Sequence, residues 1–311
     1  MKKDSTIYVA GHSGLIGSAI VRNLSCLQGY KNILTRSHTE LDLINRKKTE
    51  DFFRKEKPEY IFLAAARVGG IYANSTYPAK FIYENIMIQT NIIDLAYKYG
   101  VKKLLFLVSS CVYPKFCKQP MKEEYILTGA IESTNVPFAI AKLAGFKMCQ
   151  AYNCQYKTNF ISVIPANVYG VNDHYDENAH VLTSLIKKFH EAKLTHADSV
   201  TIWGTGKPKR EFIYADDVAN ACIFLMQKYN LNDIINIGTG IETSIKELAV
   251  CIKNVVGFEG KIIYDTTKPD GNIRRSLDIS KTKKIGWYAG IDLEKGLKKT
   301  YRWFKIFSHV S

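Results

Sequence analysis

Gly11-x-x-Gly14-x-x-Gly17 follows a short apolar run, Thr6 to Ala10, and opens a helical pattern that continues through Leu24. Glycines at this spacing permit a tight turn and close backbone approach to a pyrophosphate. A helix starting there offers an anion unpaired N–H groups and positive potential. A glycine-rich structural turn would carry the same letters, so the strand before it and the helix after it favour the nucleotide reading. Arg36 lies nineteen positions after Gly17, where the second strand candidate ends in Leu34-Thr35-Arg36-Ser37. An acid there would bind the ribose 2′-hydroxyl of NAD, whereas an arginine accommodates the 2′-phosphate of NADP. The strand tip has no acid, so Arg36 points to NADP(H); a solvated surface arginine is the alternative. Further on, Ser109-Ser110 closes a strand candidate, and Lys142 stands 33 residues beyond Ser109 on a helix candidate.

The elements that must position these residues alternate regularly. Strands are expected at Thr6 to Ala10, Asn32 to Thr35, Tyr60 to Ala64, Lys103 to Val108 and Asn159 to Ile164. Helices are expected between them, at Asn45 to Lys55, Phe81 to Tyr99 and Pro137 to Tyr156, with Gly100 as a helix stop. This alternation predicts an α/β fold: a Rossmann-type doubly wound parallel sheet with helices on both faces. After about residue 170 the rhythm loosens into helices at Val181 to Ala192, Ser244 to Val256 and Leu293 to Phe307, with strands at Val200 to Trp203, Ile234 to Ile237 and Lys261 to Tyr264. The expected organisation is a cofactor domain over residues 1–170 and a smaller C-terminal α/β substrate domain over 171–311. A segment at about 211–240 returns to the first domain.

Composition narrows the class. A hydrophobic content of 46% makes general disorder implausible. No run of eighteen apolar residues occurs, so no membrane span is expected. Met1-Lys2-Lys3 followed by Ile7 to Ala10 superficially resembles a signal peptide. Asp4, His12 and the spaced glycines break any apolar core, so a cytoplasmic protein is expected. The seven cysteines include no C-x-x-C, which argues against a zinc site and fits a reducing compartment. The net charge of +14 is scattered, with no long basic tail. It suits a small anionic ligand or an ordinary solvated surface as well as a polyanion.

The stretches VAGHSGLIGSAIVRNL (from Val9), LAAARVGGI (from Leu63), SSCVYPK (from Ser109), FAIAKLAG (from Phe138), NAHVLTSLIKKFHEA (from Asn178), IWGTGKPKREFIYADD (from Ile202) and KPDGNIRRSLD (from Lys268) cover nearly the whole chain. Together they resemble the GDP-L-fucose synthase family of extended short-chain dehydrogenase/reductases, which epimerise at C3 and C5 and reduce at C4 a GDP-4-keto-6-deoxy sugar. The resemblance implies that Ser109 hydrogen-bonds the C4 oxygen and that Lys142 binds the nicotinamide ribose and tunes a tyrosine. It also implies that Cys111 and His180 act as base and acid in epimerisation. Lys188, Trp203, Arg210 and Asp270 would contact the GDP-sugar. Gly11, His12, Ser13, Gly14, Leu15, Ile16 and Gly17, then Arg36, Asp42, Ala64, Lys142, Ile164, Pro165, Ala166, Asn167 and His180, would hold NADP(H). It further implies a homodimer joined through a four-helix bundle; no nucleic-acid partner, membrane partner or metal is expected.

The chemistry suits these residue types. Protons α to a ketone are acidified because the carbanion becomes an enolate, and a thiolate and an imidazole exchange protons near neutral pH. Hydride arriving at C4 creates an alkoxide, which needs a donor and a proton. Alone, each of these residues has a plainer reading: Cys111 as a buried thiol, His180 as a helix-start residue, Lys188 and Arg210 as surface charges.

Three departures matter. The proton donor of the family is the tyrosine of a YxxxK motif, and here the residues are Phe138-Ala139-Ile140-Ala141-Lys142. Phenylalanine keeps the ring and loses the hydroxyl, so reduction is expected to fall by roughly 10²–10⁴-fold. Two explanations fit: a tyrosine deliberately replaced to hold substrate without turnover, or a natural enzyme that has shed reduction and kept epimerisation or binding. Ser13 stands where the family often has a basic residue, which places more of the NADP preference on Arg36. The sugar itself is open between a hexose and a heptose, with Gly70-Ile71 and Asn178 to His180 as candidate lining. Alternatives are an epimerase alone and a non-catalytic nucleotide- or RNA-binding protein. A dehydratase is disfavoured because Ser110 and Cys111 stand where an acidic pair is needed.

Overall fold

The computed structural model describes residues 1–176 and 179–307. The chain opens with β1 (Ile7–Ala10), α1 (Leu15–Arg22), β2 (Ile33–Leu34), α2 (Arg46–Glu56), β3 (Tyr60–Leu63), a short α3 (Ile71–Thr76), α4 (Pro78–Lys98), β4 (Lys103–Leu107), α5 (Val136–Tyr156) and β5 (Phe160–Pro165). It continues with β6 (Asn167–Tyr169), α6 (Val181–Leu194), β7 (Ser199–Trp203), β8 (Lys209–Tyr214), α7 (Ala215–Lys228) and β9 (Ile234–Ile237). The last elements are β10 (Glu242–Ser244), α8 (Ile245–Val256), β11 (Lys261–Asp265), β12 (Arg274–Arg275), α9 (Ser280–Lys284) and α10 (Leu293–Phe307).

Six strands form one parallel sheet in the order β2-β1-β3-β4-β5-β9. Every residue of β1, β4 and β5 is buried, the signature of strands covered on both faces. Helices α1 and α7 pack together, as do α4 and α5. Strand order reverses between β1 and β3, which opens a crevice at the carboxyl ends of the strands where open α/β sheets take ligands.

Helix α4 starts three residues before the expected Phe81 because Pro78 occupies its first turn, where its missing N–H costs nothing. Gly100 then stops it at φ 67°, with the Val101 N–H donating to the Ala96 carbonyl at 2.8 Å. Gly145 of α5 lets this helix lie close to its neighbours, since a Cβ there would stand 2.7 Å from Gln89 Oε1 and from the Phe106 ring.

A second apolar core gathers Leu182, Ile186 and Phe189 of α6, Leu248 and Ile252 of α8, and Leu297 and Tyr301 of α10. They pack with Val200, Ile202, Phe212 and Tyr214. Its strands are β10-β8-β12, with β6 also paired to β8, and a separate pair β11-β7. The chain passes between the cores repeatedly. Strand β8 lies in this second sheet, and the helix that follows it, α7, packs on α1. The sequence reading placed no helix at Ala215–Lys228, where nine of the residues are buried and no side chain caps the start. Among the described residues, no helix is long and apolar enough to cross a membrane.

Candidate active site

The phosphate loop is built from backbone constraints. Gly11 leaves β1 at φ +82°, and the Gly14 N–H donates to the Gly11 carbonyl at 3.2 Å. A Cβ on Gly17 would stand 2.0 Å from the Gly11 oxygen, and one on Gly11 would stand 2.6 Å from the Ala65 nitrogen, so only glycine lets loop, helix and β3 converge. Gly14 opens α1 with no side-chain cap and no acid in the first turn, which leaves the helix N–H groups available to an anion. His12 Nδ1 is buried beside this cradle without a hydrogen-bond partner among the described residues. A dinucleotide pyrophosphate fits these features, which a purely structural turn would not need.

At the β2 tip, Arg36 Nη2 pairs with Glu56 Oε1 at 2.7 Å, and Nη1 donates to the Thr35 carbonyl at 2.7 Å. Its guanidinium lies 5.4 Å from the Phe52 ring centre. Next to it, Ser37 donates from its N–H and its hydroxyl to Glu40 Oε2, both at 2.7 Å. Asp42 serves its own turn, accepting from the Ile44 N–H at 3.0 Å. Ala64 sits at the carboxyl end of β3, its N–H bonded to the Ala10 carbonyl at 3.0 Å. Ile164, Pro165 and Ala166 are buried at the end of β5, and Asn167 donates to the Glu211 carbonyl at 2.8 Å.

The chemistry-bearing residues converge beyond β4. Ser109 caps a single helical turn over Ser110–Val112, its hydroxyl accepting from the Cys111 N–H at 3.4 Å. From α5, buried Lys142 reaches back and donates from Nζ to the Leu107 carbonyl at 2.9 Å. The ammonium lies 4.8 Å from the Phe106 ring centre and 5.8 Å from that of Phe138, one helical turn earlier on the same face. Phe81 meets the Phe138 ring edge-on at 6.4 Å. Burial pushes Lys142 down to about 8, and Cys111 pulls in the opposite direction. Burial raises the Cys111 thiol, opposed by the Ser109 hydrogen bond and by the charges of Arg275 and Lys142.

His180 precedes α6 at its N-cap and keeps solvent access. Partial desolvation by the surrounding protein, and then repulsion from His174, hold its pKa below the usual histidine value. Among the described residues no hydrogen bond or ion pair joins His180 to Cys111. Asn178 lies outside the described residues.

The nucleotide-side candidates group on the second sheet. The Trp203 side chain is 66% exposed, and the Lys188 and Lys268 ammoniums lie 5.8 and 5.7 Å from its ring. An open aromatic face flanked by cations suits a base or a sugar-phosphate. Half-buried Arg210 donates from Nη1 to the carbonyls of Lys209 and Asn272, at 2.8 and 2.6 Å. Asp270 has both oxygens engaged by Thr205, at 2.9 Å to the N–H and 2.6 Å to the hydroxyl, so it shapes the loop after Trp203. Two residues entered the site only through the fold. Lys268 was visible as part of a motif but carried no assigned role. Arg275 donates from Nη2 to the Ser110 carbonyl at 2.8 Å. Two surface concavities of about 700 and 580 Å³ beside α6 and α10 hold none of the candidate residues, so cavity size does not mark this site.

The comparisons agree with this architecture. Residues 7–238 match the model of the "NAD dependent epimerase/dehydratase family". The putative GDP-L-fucose synthase 2 of Arabidopsis thaliana is 54% identical over 98% of this chain and 93% of its own. The GDP-L-fucose synthase of Escherichia coli K12 is 46% identical over 96% of each chain. The solved GDP-mannoheptose C4 reductase of Campylobacter jejuni, with NADP bound, superposes with a TM-score of 0.90 at 43% identity, covering 98% of this chain and 99% of that one. A glycine cradle, a Ser-x-Cys turn facing a buried lysine, and near full-length similarity at this level have one joint explanation: the chain is an enzyme of the NAD dependent epimerase/dehydratase family, in its GDP-L-fucose synthase branch.

Proposed function

We propose that this enzyme uses NADP(H) and a GDP-4-keto-6-deoxy sugar, epimerising at C3 or C5, or both, and reducing at C4 slowly because of Phe138. The observation that carries the reading is the convergence of Ser109, Cys111 and Lys142 on one turn, with Phe138 on the adjacent helix face. NADPH, when bound, supplies the hydride for C4. The Gly11–Gly17 loop would hold its pyrophosphate, Arg36 its 2′-phosphate and Lys142 its nicotinamide ribose.

Ser109 donates to the C4 oxygen, polarising the ketone and acidifying the neighbouring C–H bonds. Cys111, once deprotonated against its raised pKa, removes an α proton, and the enolate is reprotonated from the opposite face by His180. The lowered histidine pKa makes the imidazolium a willing proton donor. None of these steps uses the phenol that Phe138 lacks. Reduction does, because the C4 alkoxide must be protonated. The sugar is a hexose or a heptose, since relatives bear both kinds of name.

Two helices support a dimer. Tyr83 and Tyr97 of α4, and Val136, Ile140 and Tyr156 of α5, leave large apolar surface exposed, and Tyr97 stacks on Tyr156 at 4.1 Å. Pairing α4 and α5 with their copies would bury this face in a four-helix bundle. Sedimentation at micromolar concentration tests it, and a monomer there would reject it.

The deciding experiment is product analysis with GDP-4-keto-6-deoxy-mannose and its heptose analogue in D₂O with NADPH. Deuterium at C3 or C5 with slow NADPH oxidation is expected. Absence of both binding and exchange would refute the proposal. Steeply salt-dependent polynucleotide binding in their place would favour the non-catalytic reading.

A further inference from the structure

Strand β12 is two arginines long, and the two have opposite fates. Arg274 pairs with Glu242 at 2.6 Å and is exposed. Arg275 is half-buried and stands directly opposite Arg210 in the parallel β12–β8 register. Side chains opposed in this way share a face of the sheet at neighbouring-strand spacing, and like charges so placed repel. Consistent with this, the Arg275 charge, after burial, lowers the pKa of Arg210. Among the described residues neither guanidinium forms an ion pair. Their hydrogen bonds among the described residues go to neutral carbonyls: Lys209 and Asn272 for Arg210, and Ser110 for Arg275. Two unneutralised arginines held side by side on a strand pair form a receptor for a dianion, whose arrival converts repulsion into two charge-assisted contacts.

One arm of Arg275 is already committed to the reacting turn. The carbonyl that it holds belongs to Ser110, between Ser109 and Cys111. The same segment is tied down further along. The Met121 N–H donates to the Ser276 carbonyl at 2.8 Å, and the Ser276 N–H donates to Gln119 Oε1 at 3.0 Å. Strand β12 is therefore a strap from the nucleotide side of the site to the Ser109–Cys111 turn.

We propose that Arg275 is a coupling residue: with Arg210 it takes the diphosphate of the nucleotide sugar, and through the Ser110 carbonyl it positions the Ser109–Cys111 turn. This rests on the GDP-sugar reading above and adds a residue and a linkage to it. The charged groups acting on the Cys111 thiol are Arg275 from β12 and Lys142 from α5, with the Ser109 hydroxyl as a hydrogen-bond partner. Removing the Arg275 charge therefore moves proton abstraction to higher pH.

The test compares the parent with Arg275→Gln and Arg275→Lys. Calorimetry with GDP and with GMP is combined with the pH profile of deuterium incorporation at C3 and C5, and with thermal melts. R275Q is expected to lose at least tenfold in GDP affinity, with GMP affinity little changed, and to shift the exchange profile to higher pH. R275K keeps the charge and loses the fork, so its profile stays with the parent while its GDP affinity falls several-fold. It also supplies a second variant should R275Q fold poorly. A parental GDP-to-GMP ratio in R275Q, or an unshifted profile, overturns the proposal. Failure of the parent itself to bind GDP would instead overturn the GDP-sugar reading.

Discussion

The Lys142 ammonium lies 5.8 Å from the centre of the Phe138 ring and 2.9 Å from the Leu107 carbonyl. A lysine held at that position is placed to act on a ring substituent that Phe138 does not carry. Phe138→Tyr adds the hydroxyl beside the ammonium, and NADPH oxidation is expected to rise by roughly 10²–10⁴-fold. Deuterium exchange at C3 and C5 should change far less, since Cys111 and His180 are untouched. A stopped-flow comparison of the two proteins checks this, and no recovery of reduction would remove Phe138 as the cause.

Lys142 is buried, and its pKa is pushed down to about 8 from 10.5 by desolvation. Between these values the unfolded chain binds more protons than the folded one, so stability contributed by this site rises with pH across that window. Below about pH 8 the buried charge imposes its full cost, on the order of 3 kcal/mol from about 1.4 per pH unit. Lys142→Met removes that cost and takes the ammonium donor from the Leu107 carbonyl, a loss of about 1–3 kcal/mol. Relative to the parent, K142M should therefore look most favourable near pH 7 and worst near pH 10, with NADPH binding lost throughout. Urea denaturation at the two pH values measures the difference; an equal difference at both would reject the shift.

Arg36 is engaged by Glu56 at 2.7 Å, so a 2′-phosphate shares the guanidinium with that carboxylate or competes with it. Arg36→Gln should weaken NADPH by roughly 10–100-fold, the value of a charged hydrogen bond of about 1.5–3 kcal/mol, and leave NADH nearly unchanged. Glu56→Gln should strengthen NADPH instead, by releasing the guanidinium. Dissociation constants for both nucleotides provide the check, and equal parental affinities would refute the NADP preference.

Gly14 and Gly17 read alike in the sequence and differ in space. A Cβ on Gly14 would come no closer than 3.6 Å to the Gly11 oxygen, whereas one on Gly17 would stand at 2.0 Å. Gly17→Ala is expected to cost about 1–3 kcal/mol or more through overpacking and to abolish cofactor binding. Gly14→Ala should retain both fold and binding to a much greater degree. Thermal melts with and without NADPH would separate the two.

By itself the sequence determined the parts that local pattern controls. Buried strands read as apolar runs, the glycine spacing marked the loop, and the Ser109, Cys111, Phe138 and Lys142 motifs were legible because each occupies a short stretch. Helix α7 escaped this reading: most of it is buried and it lacks a side-chain cap, which left the Asp216-Asp217 pair of its first turn as the local start signal. The tertiary structure alone decided the partners. Arg36 meets Glu56 twenty positions away, Asp270 meets Thr205 across 65, and Arg275 reaches Ser110 across 165. Such contacts depend on which strands become neighbours and in what register. A one-residue shift of β12 along β8 would turn Arg275 to the opposite face of the sheet and bring its sequence neighbour opposite Arg210.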